Sequence, residues 1–207
     1  DRREAGLLYP CACTRKTIAK LGKDGIYPGT CRAGVPDGQD PRAWRVQVAG
    51  RVHFEDRIQG PQHTDLASAV GDFVLHRADG LFAYQLAVAV DDAAQGMSEV
   101  VRGADLLDST PRQIYLQQCL GLTSPRYAHH PVAAAADGQK LSKQNFAPAL
   151  DTGRPQATLL RALRFLGQEV DDCLLDARLD ELWGWSIQHW QLDRVPRRPS
   201  IALEDAG

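Results

Sequence analysis

The spacing of apolar residues between positions 43 and 58 predicts antiparallel strands. Apolar and polar residues alternate there with a period of two, which is typical of strands that bury one face. The apolar positions are Trp44, Val46, Val48, Val52 and Phe54. Gly60-Pro61 interrupts the pattern, and we therefore expect a boundary between residues 60 and 70. Four arginines of the same segment fit either a solvated rim or a basic face for phosphate groups; they are Arg42, Arg45, Arg51 and Arg57.

The pattern changes after residue 70, where predicted strands and helices alternate. Residues 72–77 predict a strand, and the Ala-Asp-Gly sequence of residues 78–80 predicts a tight turn. A nearly continuous apolar run at residues 83–94, with Gly96 just beyond it, favours a helix over a strand. Residues 98–103 predict a second, short strand.

A further helix is predicted from the residues that can begin and end it. Ser109 or Thr110 can cap its N-terminus, and Pro111 suits its first turn. Gly121 follows its last apolar residue and can end it. The order strand, helix, strand, helix indicates an α/β fold with a parallel sheet built from βαβ units.

The C-terminal segment has apolar residues at helical spacing, which predicts a small helical ending. These residues are Ala157, Leu160, Leu163, Leu166, Leu174, Leu175, Leu179, Leu182, Trp183 and Trp185. We interpret the aromatic residues among them as core rather than as a platform for stacking bases. Together the patterns predict three parts, at residues 1–68, 69–145 and 146–207.

Composition and charge narrow the class of function. The chain has 24 Lys and Arg against 26 Asp and Glu, and its formal net charge of −2 argues against a polycation. A local basic face remains compatible with these numbers. No run of about 18 apolar residues occurs, so no membrane span is expected. The charged start, Asp1-Arg2-Arg3-Glu4, has no initiator methionine and indicates a cut end.

Three of the five cysteines lie in the first 31 residues, which favours a metal site in a reducing compartment over a disulfide framework. Cys11 and Cys13 supply two thiolates from one turn, and Cys31 returns after a glycine-rich loop. Three soft ligands suit tetrahedral zinc if a fourth donor is available. Candidates for that donor are water, Tyr27, Asp37 and His53. The alternative is three thiols without a metal, although such a loop has few apolar residues to stabilise it.

The two other cysteines, Cys119 and Cys173, lie among apolar residues in predicted helices. Unpaired cysteine is among the most often buried residue types. We therefore expect both to be buried free thiols.

A glycine-led loop with two lysines is the main candidate for a nucleotide site. Its sequence is Gly138-Gln139-Lys140-Leu141-Ser142-Lys143-Gln144-Asn145. Lys140 and Lys143 can follow the charge that develops on a triphosphate, and Gly138 lets the backbone turn without steric cost. Taken alone, a Lys-x-x-Lys pair beside glycine is more often a solvated surface turn. The assignment therefore depends on the neighbouring motifs.

Several motifs in one order resemble the class I glutamyl-tRNA synthetases. The segments that carry the resemblance are residues 71–80, 83–92, 101–107 and 110–113 and the Lys-Leu-Ser-Lys loop. In that family the loop is the second nucleotide signature and follows the other segments at a similar distance. The match spans most of residues 71–148.

The resemblance is greater to a paralogous family, the glutamyl-Q tRNA(Asp) synthetases. Cys11-x-Cys13 and the run Tyr27-Pro28-Gly29-Thr30-Cys31-Arg32 resemble its zinc site, in which a tyrosine accompanies three cysteines. Gln144 stands where a serine is usual in glutamyl-tRNA synthetases. The 62 residues from 146 to 207 are too few for another sizeable domain after the loop.

The resemblance implies a class I Rossmann-like catalytic fold, with residues 69–145 as its second half. Residues 1–68 would be a zinc-bearing inserted subdomain, and residues 146–207 a helical subdomain. It implies ATP-dependent activation of glutamate, with magnesium, and transfer of the glutamyl group to queuosine in the anticodon loop of tRNA(Asp). We expect this reaction in the cytoplasm, from a monomer that binds no membrane.

The resemblance also implies roles for individual residues. Lys140 and Lys143 would be catalytic, with Lys143 the better candidate for stabilising the leaving charge. Arg102 would bind a carboxylate of glutamate bidentately, and Tyr84 would add a hydroxyl. ATP would contact Lys140, Leu141, Ser142, Lys143 and Gln144, and a structural zinc would be held by Cys11, Cys13, Tyr27 and Cys31.

Residue types alone favour simpler roles, namely a surface ion pair for Arg102 and a core position for Tyr84. For Asp91 and Asp105 two roles stay open, either orienting Arg102 or capping helices. The residues do not separate these two roles.

One feature of the family does not occur in this sequence. Its first nucleotide signature, a His-x-Gly-His segment, is absent, and His129-His130 lies in the wrong order and context to replace it. We therefore expect the chain to be a fragment or one piece of a longer protein. Two alternatives stay open, a truncated glutamyl-tRNA synthetase and a non-catalytic, zinc-stabilised tRNA-binding module.

Overall fold

The computed structural model describes residues 6–22, 25–142, 147 and 149–203. The strands in these residues are β1 (Leu8–Cys11), β2 (Ala43–Val46), β3 (Arg51–Asp56), β4 (Gly60–Asp65), β5 (Phe73–His76), β6 (Glu99–Gly103), β7 (Arg126–His130), β8 (Val132–Ala134) and β9 (Ser200–Ala202). The α-helices are α1 (Arg15–Leu21), α2 (Leu66–Ala69), α3 (Tyr84–Ala94), α4 (Thr110–Leu120), α5 (Pro155–Phe165) and α6 (Leu179–His189). Short 3₁₀ helices span Ala104–Ser109, Asp172–Asp176 and Leu192–Arg194.

The strands form three sheets. Strands β1, β2 and β5 form an antiparallel sheet in that order. A four-stranded sheet has the order β4-β3-β7-β6, and β3 pairs with β7 in parallel through Asp56 and Tyr127. Strands β8 and β9 pair in parallel. The fold is therefore mixed α/β, as the sequence predicts.

The chain divides into two compact units that alternate along the sequence. The first unit contains residues 1–55, 61–99 and 108–126, and the second contains residues 56–60, 100–107 and 127–207. None of the described helices has the length and apolar character that a membrane span requires.

The first unit contains residues 43–55 of the alternating segment predicted at residues 43–58. Val46, Val48 and Val52 are buried, so the period of two marks a buried face as expected. Helix α4 ends at Gly121, which has a left-handed φ of 69° that glycine adopts without strain. Ser109 makes no capping hydrogen bond to α4, and its Oγ instead accepts a hydrogen bond from Gln85 Nε2 at 3.0 Å.

The second unit contains the predicted helical ending. Leu160 and Leu163 of α5 pack against Leu182 of α6, and all three side chains are buried. The helical spacing therefore identifies this core correctly. Trp183 is 52% exposed, however, so the interpretation of that residue as core is wrong. It lies one position after Leu182 on α6, where a side chain points away from the buried face.

One interpretation of the strand pattern is wrong, namely that the predicted strands on either side of helix α3 share a parallel sheet. Gly60-Pro61 begins β4, and a glycine with a φ of 77° is well suited to the tight return from β3. The boundary expected between residues 60 and 70 stays a prediction. Strands β5 and β6 do not share a sheet, since β5 pairs with β2. Alternation identifies a strand but not its partner.

Candidate functional sites

The three cysteines predicted to bind a metal lie together in the first unit. Cys11 ends β1, Cys13 follows it, and Cys31 lies on a later loop. Their three Sγ atoms lie within 4.8 Å of one another, and those of Cys13 and Cys31 are 3.7 Å apart. Cys11 and Cys31 are almost completely buried.

Tyr27 lies beside the same three sulfur atoms. Its Oη is 3.5 Å from the Sγ of Cys11 and 3.9 Å from that of Cys13. The same oxygen accepts a hydrogen bond from the backbone N–H of Cys31 at 2.8 Å. Three soft thiol sulfurs and one harder phenolic oxygen give the four donors that a tetrahedral metal site requires.

The surroundings shift the proton affinities of these groups in different directions. Burial opposes ionisation of the Cys11 thiol, but hydrogen bonds with Tyr27 and Arg45 outweigh it and lower its pKa. Burial and the hydrogen bond with Cys31 raise the pKa of Cys13 to about 11. Burial, followed by the hydrogen bonds with Cys11 and Cys31, raises the pKa of Tyr27 above its usual range. The pKa of Cys11 therefore lies below that of Cys13, and the Cys11 thiol loses its proton before the Cys13 thiol does.

Arg45 supports the cysteine group from β2. Its Nε lies 3.3 Å from Cys11 Sγ, and its guanidinium lies over the ring of Tyr27, 3.9 Å from the centroid. The side chain is buried, so neither a solvated rim nor a phosphate-binding face describes this arginine. The pairing of β2 with β5 changes register between Trp44 and Arg45.

Asp72 anchors the arginines that surround the cysteine group. Its carboxylate accepts two hydrogen bonds from Arg32, at 2.6 and 2.7 Å, and a bond from the backbone N–H of Val48 at 2.9 Å. It also accepts a hydrogen bond from the hydroxyl of Tyr9. Its backbone carbonyl accepts a bond from Arg45 Nη1 at 2.8 Å. The sequence predicts only that Asp72 lies in a strand.

Two candidates for the fourth metal ligand are not supported by the structure. His53 Nδ1 lies 2.5 Å from Nδ1 of His63 on the neighbouring strand β4, and among the described residues His53 is outside the group of ligand atoms. Asp37 is exposed and lies outside the group of ligand atoms among the described residues.

Cys119 is only partly buried and Cys173 is exposed, so the expectation of two buried thiols is wrong.

The described part of the glycine-led loop, residues 138–142, lies in the second unit beside a cavity of about 450 Å³. Gly138 has a φ of 83° and lies in a turn in which its N–H bonds to the carbonyl of Ala135 at 2.9 Å. The turn returns the chain so that Lys140 bridges to Ala134 at the end of β8. The residues that line the cavity are Gly103, Asp105, His130, Pro131, Val132, Ala133, Lys140, Leu141, Ala162, Phe165 and Leu166.

Lys140 reaches the cavity and forms an ion pair there. Its Nζ lies 2.5 Å from Oδ2 of Asp105, and the lysine side chain is 48% exposed. A Cβ on Gly103 would lie 2.5 Å from Oδ1 of Asp105 and 3.0 Å from Val132, so a larger residue would displace this carboxylate. Asp105 therefore pairs with Lys140. The two roles expected from the sequence, orienting Arg102 and capping a helix, did not include this contact. Leu141 and Ser142 are half-buried, whereas Lys143 and Gln144 lie outside the described residues.

The two residues predicted to bind glutamate lie in different units. Tyr84 is the first residue of α3 in the first unit, and its side chain is 52% exposed, which is not a core position. Arg102 lies on β6 in the second unit and is half-buried. Its Nε donates to Nε2 of His129 at 3.0 Å, and its guanidinium lies 5.5 Å from the ring centroid of Tyr127. Arg102 therefore lies half-buried beside His129 and Tyr127.

His129 and Asp56 are functional candidates that the sequence reasoning missed. Both are fully buried, and His129 Nδ1 lies 2.6 Å from Oδ2 of Asp56. A signal was present in the sequence. Asp56 continues the period of two set by Val52, which is buried, and Phe54, which is half-buried, and a carboxylate at a core position requires a partner.

Comparison with known proteins gives these sites a family context. Residues 13–173 match the family model described as tRNA synthetases class I (E and Q), catalytic domain. The glutamyl-Q tRNA(Asp) synthetase of Dechloromonas aromatica is 57% identical over 97% of this chain and 69% of its own length. Those of Aromatoleum aromaticum and Chromobacterium violaceum are 54% and 52% identical, over 95% and 94% of this chain. The chain spans 64% and 66% of these two relatives.

Solved structures support the same fold. The glutamate-tRNA synthetase of Elizabethkingia anophelis has a TM-score of 0.68 at 19% identity, over 99% of this chain and 50% of its own. A glutamate tRNA ligase of Elizabethkingia meningosepticum, in complex with its amino acid, has a TM-score of 0.65 at 19% identity, over 95% of this chain and 48% of its own. From the family model and the curated relatives together, the chain belongs to the class I tRNA synthetases (E and Q), within the group of glutamyl-Q tRNA(Asp) synthetases.

Proposed function

We propose that the protein activates glutamate with ATP and transfers the glutamyl group to queuosine in the anticodon loop of tRNA(Asp). The observation that carries this proposal is the 57% identity, over 97% of the chain, with a protein of that named activity. The expected setting is the cytoplasm, where reduced thiols such as those of the cysteine group persist. We propose a monomer as the working state.

The cavity beside the glycine-led loop supports the ATP part of this proposal. Activation forms a bond between a carboxylate oxygen of glutamate and the α-phosphorus, while the bond to the bridging oxygen breaks and pyrophosphate leaves. Such a reaction requires positioning and cations more than an acid or a base. Lys140 is placed at the cavity by the turn at Gly138, and Asp105 holds its ammonium group at 2.5 Å. We assign Lys140 and Lys143 to the charge on the phosphates, together with Leu141, Ser142 and Gln144 as further ATP contacts and magnesium as counter-ion.

For glutamate, we propose Arg102 and Tyr84. A planar guanidinium recognises a carboxylate through two parallel hydrogen bonds. Arg102 is supported in this role by its half-buried position and by the hydrogen bond from its Nε to His129. Tyr84 is supported by its exposed side chain at the start of α3, where its hydroxyl is accessible to a ligand.

For the cysteine group, we propose a structural zinc ion. Cys11, Cys13 and Cys31 would supply three thiolates, and Tyr27 the fourth donor. The ion would neutralise charge on the thiolates and hold β1 to the loop that contains Cys31. No residue of the ATP or glutamate assignment belongs to this group.

A charging experiment tests the proposed activity. The full-length protein is incubated with ATP, labelled glutamate and either queuosine-containing tRNA(Asp), queuosine-free tRNA(Asp) or tRNA(Glu). We expect label only in the first tRNA, and nuclease digestion should place it in the anticodon-loop fragment. Label on the 3′ adenosine of tRNA(Glu) would instead identify a truncated glutamyl-tRNA synthetase. Binding of tRNA that Lys143→Ala leaves unchanged, with no adenylate formed, would identify a non-catalytic module.

A further inference from the structure

The carboxylate of Asp56 is buried at the end of β3 and has no role in the chemistry described so far. Its side chain is fully inaccessible to solvent. Oδ1 accepts hydrogen bonds from the backbone N–H groups of Ile58 at 3.0 Å, Gln59 at 2.8 Å and His129 at 3.1 Å. Oδ2 lies 2.6 Å from Nδ1 of His129. A carboxylate that accepts this many hydrogen bonds stays charged inside the protein.

The charge on Asp56 determines which nitrogen of His129 carries a proton. Burial alone would raise the pKa of Asp56, but hydrogen bonds from His129, Gln59 and Ile58 outweigh it, so the pKa is lowered. The carboxylate is therefore ionised at neutral pH and can only accept hydrogen bonds. Nδ1 of His129 must consequently be the donor in the contact with Oδ2.

The other ring nitrogen of His129 faces Arg102. Nε of Arg102 lies 3.0 Å from Nε2 of His129, and a guanidinium can only donate. Nε2 must then be the acceptor, which is satisfied by the neutral imidazole with its proton on Nδ1. A proton on Nε2 would instead direct two N–H groups at each other. The contacts therefore select one tautomer of His129.

The ring of His129 is itself held in place. It stacks on the ring of Tyr127, with centroids 6.1 Å apart and an interplanar angle of 18°. The backbone carbonyl of His129 accepts a hydrogen bond from Gln59 Nε2 at 2.8 Å. Backbone and side chain are thus both fixed, and the direction of the Nε2 lone pair is fixed with them.

We propose that Asp56 and His129 are positioning residues that orient the guanidinium of Arg102 for a carboxylate of glutamate. This inference rests on the proposed role of Arg102 in binding glutamate. A carboxylate that binds through Nη1 and Nη2 leaves the bond from Nε to His129 in place. The plane of the guanidinium is then set before the substrate arrives, so less ordering accompanies binding.

Asp56→Asn tests the tautomer without changing the shape of the side chain. The amide oxygen can still accept the backbone N–H groups, but its NH₂ group would donate to Nδ1 of His129. The imidazole proton then moves to Nε2 and opposes the N–H of Arg102. We expect the glutamate KM in ATP–pyrophosphate exchange to rise about 10- to 100-fold, with kcat within about threefold.

Two substitutions of His129 separate positioning from a merely structural role. Asparagine matches the position of Nδ1 and keeps a donor for Asp56, but it offers no acceptor to Arg102. Glutamine reaches the position of Nε2 and can accept from Arg102, but it loses the bond to Asp56. We expect His129→Asn to raise the glutamate KM about 10- to 100-fold and His129→Gln to raise it less than about fivefold. A structural role would give the reverse order.

A readout that does not need catalysis accompanies the kinetics. In ¹⁵N-labelled protein, the Nε–H resonance of Arg102, assigned with Arg102→Lys, should be protected from solvent exchange. We expect this protection to be lost in Asp56→Asn and His129→Asn and retained in His129→Gln. Asp172→Asn and His189→Asn are matched controls in the second unit, and both should leave protection and KM unchanged.

The outcomes distinguish this inference from the proposed function. One result would contradict the positioning role and leave the proposed function standing. In it, the unaltered protein is active, Arg102→Lys loses glutamate binding, and Asp56→Asn and His129→Asn keep it. Unprotected Arg102 in the unaltered protein also overturns the positioning role. If the unaltered full-length protein does not activate glutamate, the proposed function is wrong. If Arg102→Lys leaves the glutamate KM unchanged, Arg102 does not bind glutamate. Either result also contradicts the positioning role of Asp56 and His129.

Discussion

Asp72 shows how single buried charges organise the first unit. Its side chain is fully buried, whereas that of its partner Arg32 is 41% exposed. Burial alone would raise the pKa of Asp72, but hydrogen bonds from Arg32, Tyr9 and Val48 outweigh it and lower the pKa. A carboxyl pKa that is lower in the folded state contributes stability above the unfolded value of 3.8. That contribution is lost as the pH falls through the folded value.

Asp72→Asn should therefore destabilise the protein at neutral pH and flatten its acid sensitivity. We expect a decrease of about 2–3 kcal/mol in the free energy of unfolding at pH 7, because a charged acceptor of several hydrogen bonds is lost. Below pH 4 the difference between the two proteins should shrink. Urea unfolding at pH 7, 5 and 3.5 measures both effects. Asp79→Asn, which removes an exposed partner of Arg77, is the control and should change stability by less than about 1 kcal/mol. Equal losses from both variants would contradict the role of Asp72.

Lys140 gives a second prediction about a single residue. Its ammonium lies at the cavity and should stabilise negative charge that grows as pyrophosphate leaves. Lys140→Ala should lower kcat for pyrophosphate exchange about 100-fold while changing the glutamate KM little. Steady-state exchange kinetics measure both constants, and Lys16→Ala on α1 provides the matched control. A change confined to KM would mean that Lys140 only binds substrate.

Two glycines of the second unit, in helix α6 and just after helix α5, differ in backbone conformation and in the space around them. Gly184 lies in the interior of this helix, and a Cβ added there would meet no atom within 4 Å. Gly167 follows α5 with a φ of 75°, and a Cβ there would lie 2.3 Å from the carbonyl oxygen of Arg194. A side chain therefore fits at Gly184 but not at Gly167.

Alanine at these two positions should have opposite effects on stability. Gly184→Ala should stabilise the protein by about 0.5–1 kcal/mol, because it reduces the backbone freedom of the unfolded chain. Gly167→Ala should destabilise it by more than about 1 kcal/mol, because it combines a left-handed backbone with a steric clash. Thermal unfolding of both variants beside the parent protein gives the comparison. Stabilisation by Gly167→Ala would show that the chain can relax around Arg194.

The sequence predicts elements better than partners. Helix α4 could be delimited because Pro111 and Gly121 carry local backbone preferences. The group of Cys11, Cys13 and Cys31 could be anticipated from thiol spacing. Arg45 could not be placed, because its burial depends on Cys11, 34 residues earlier, and on Asp72, 27 residues later. Buried polar contacts of this kind arise from tertiary structure and leave only a weak local signal.

At the scale of the whole molecule, the cysteine group should link metal content to stability. We expect native mass spectrometry to find about one zinc ion per chain. Cys31→Ala should abolish this zinc and lower the temperature of unfolding, as should removal of the ion with a chelator. Cys173→Ala should do neither, because that cysteine is exposed and lies outside the group. A folded, metal-free preparation with unchanged stability would contradict the prediction.

The division of the chain into interleaved units has a consequence for synthesis on the ribosome. Asp56 emerges long before its partner His129, which follows 73 residues later. During that interval the carboxylate has no imidazole to pair with, so β3 cannot be completed at this end. At a synthesis rate of roughly 5–20 residues per second, the delay is several seconds. We expect nascent chains that stop before residue 127 to keep this segment accessible to proteases and chaperones.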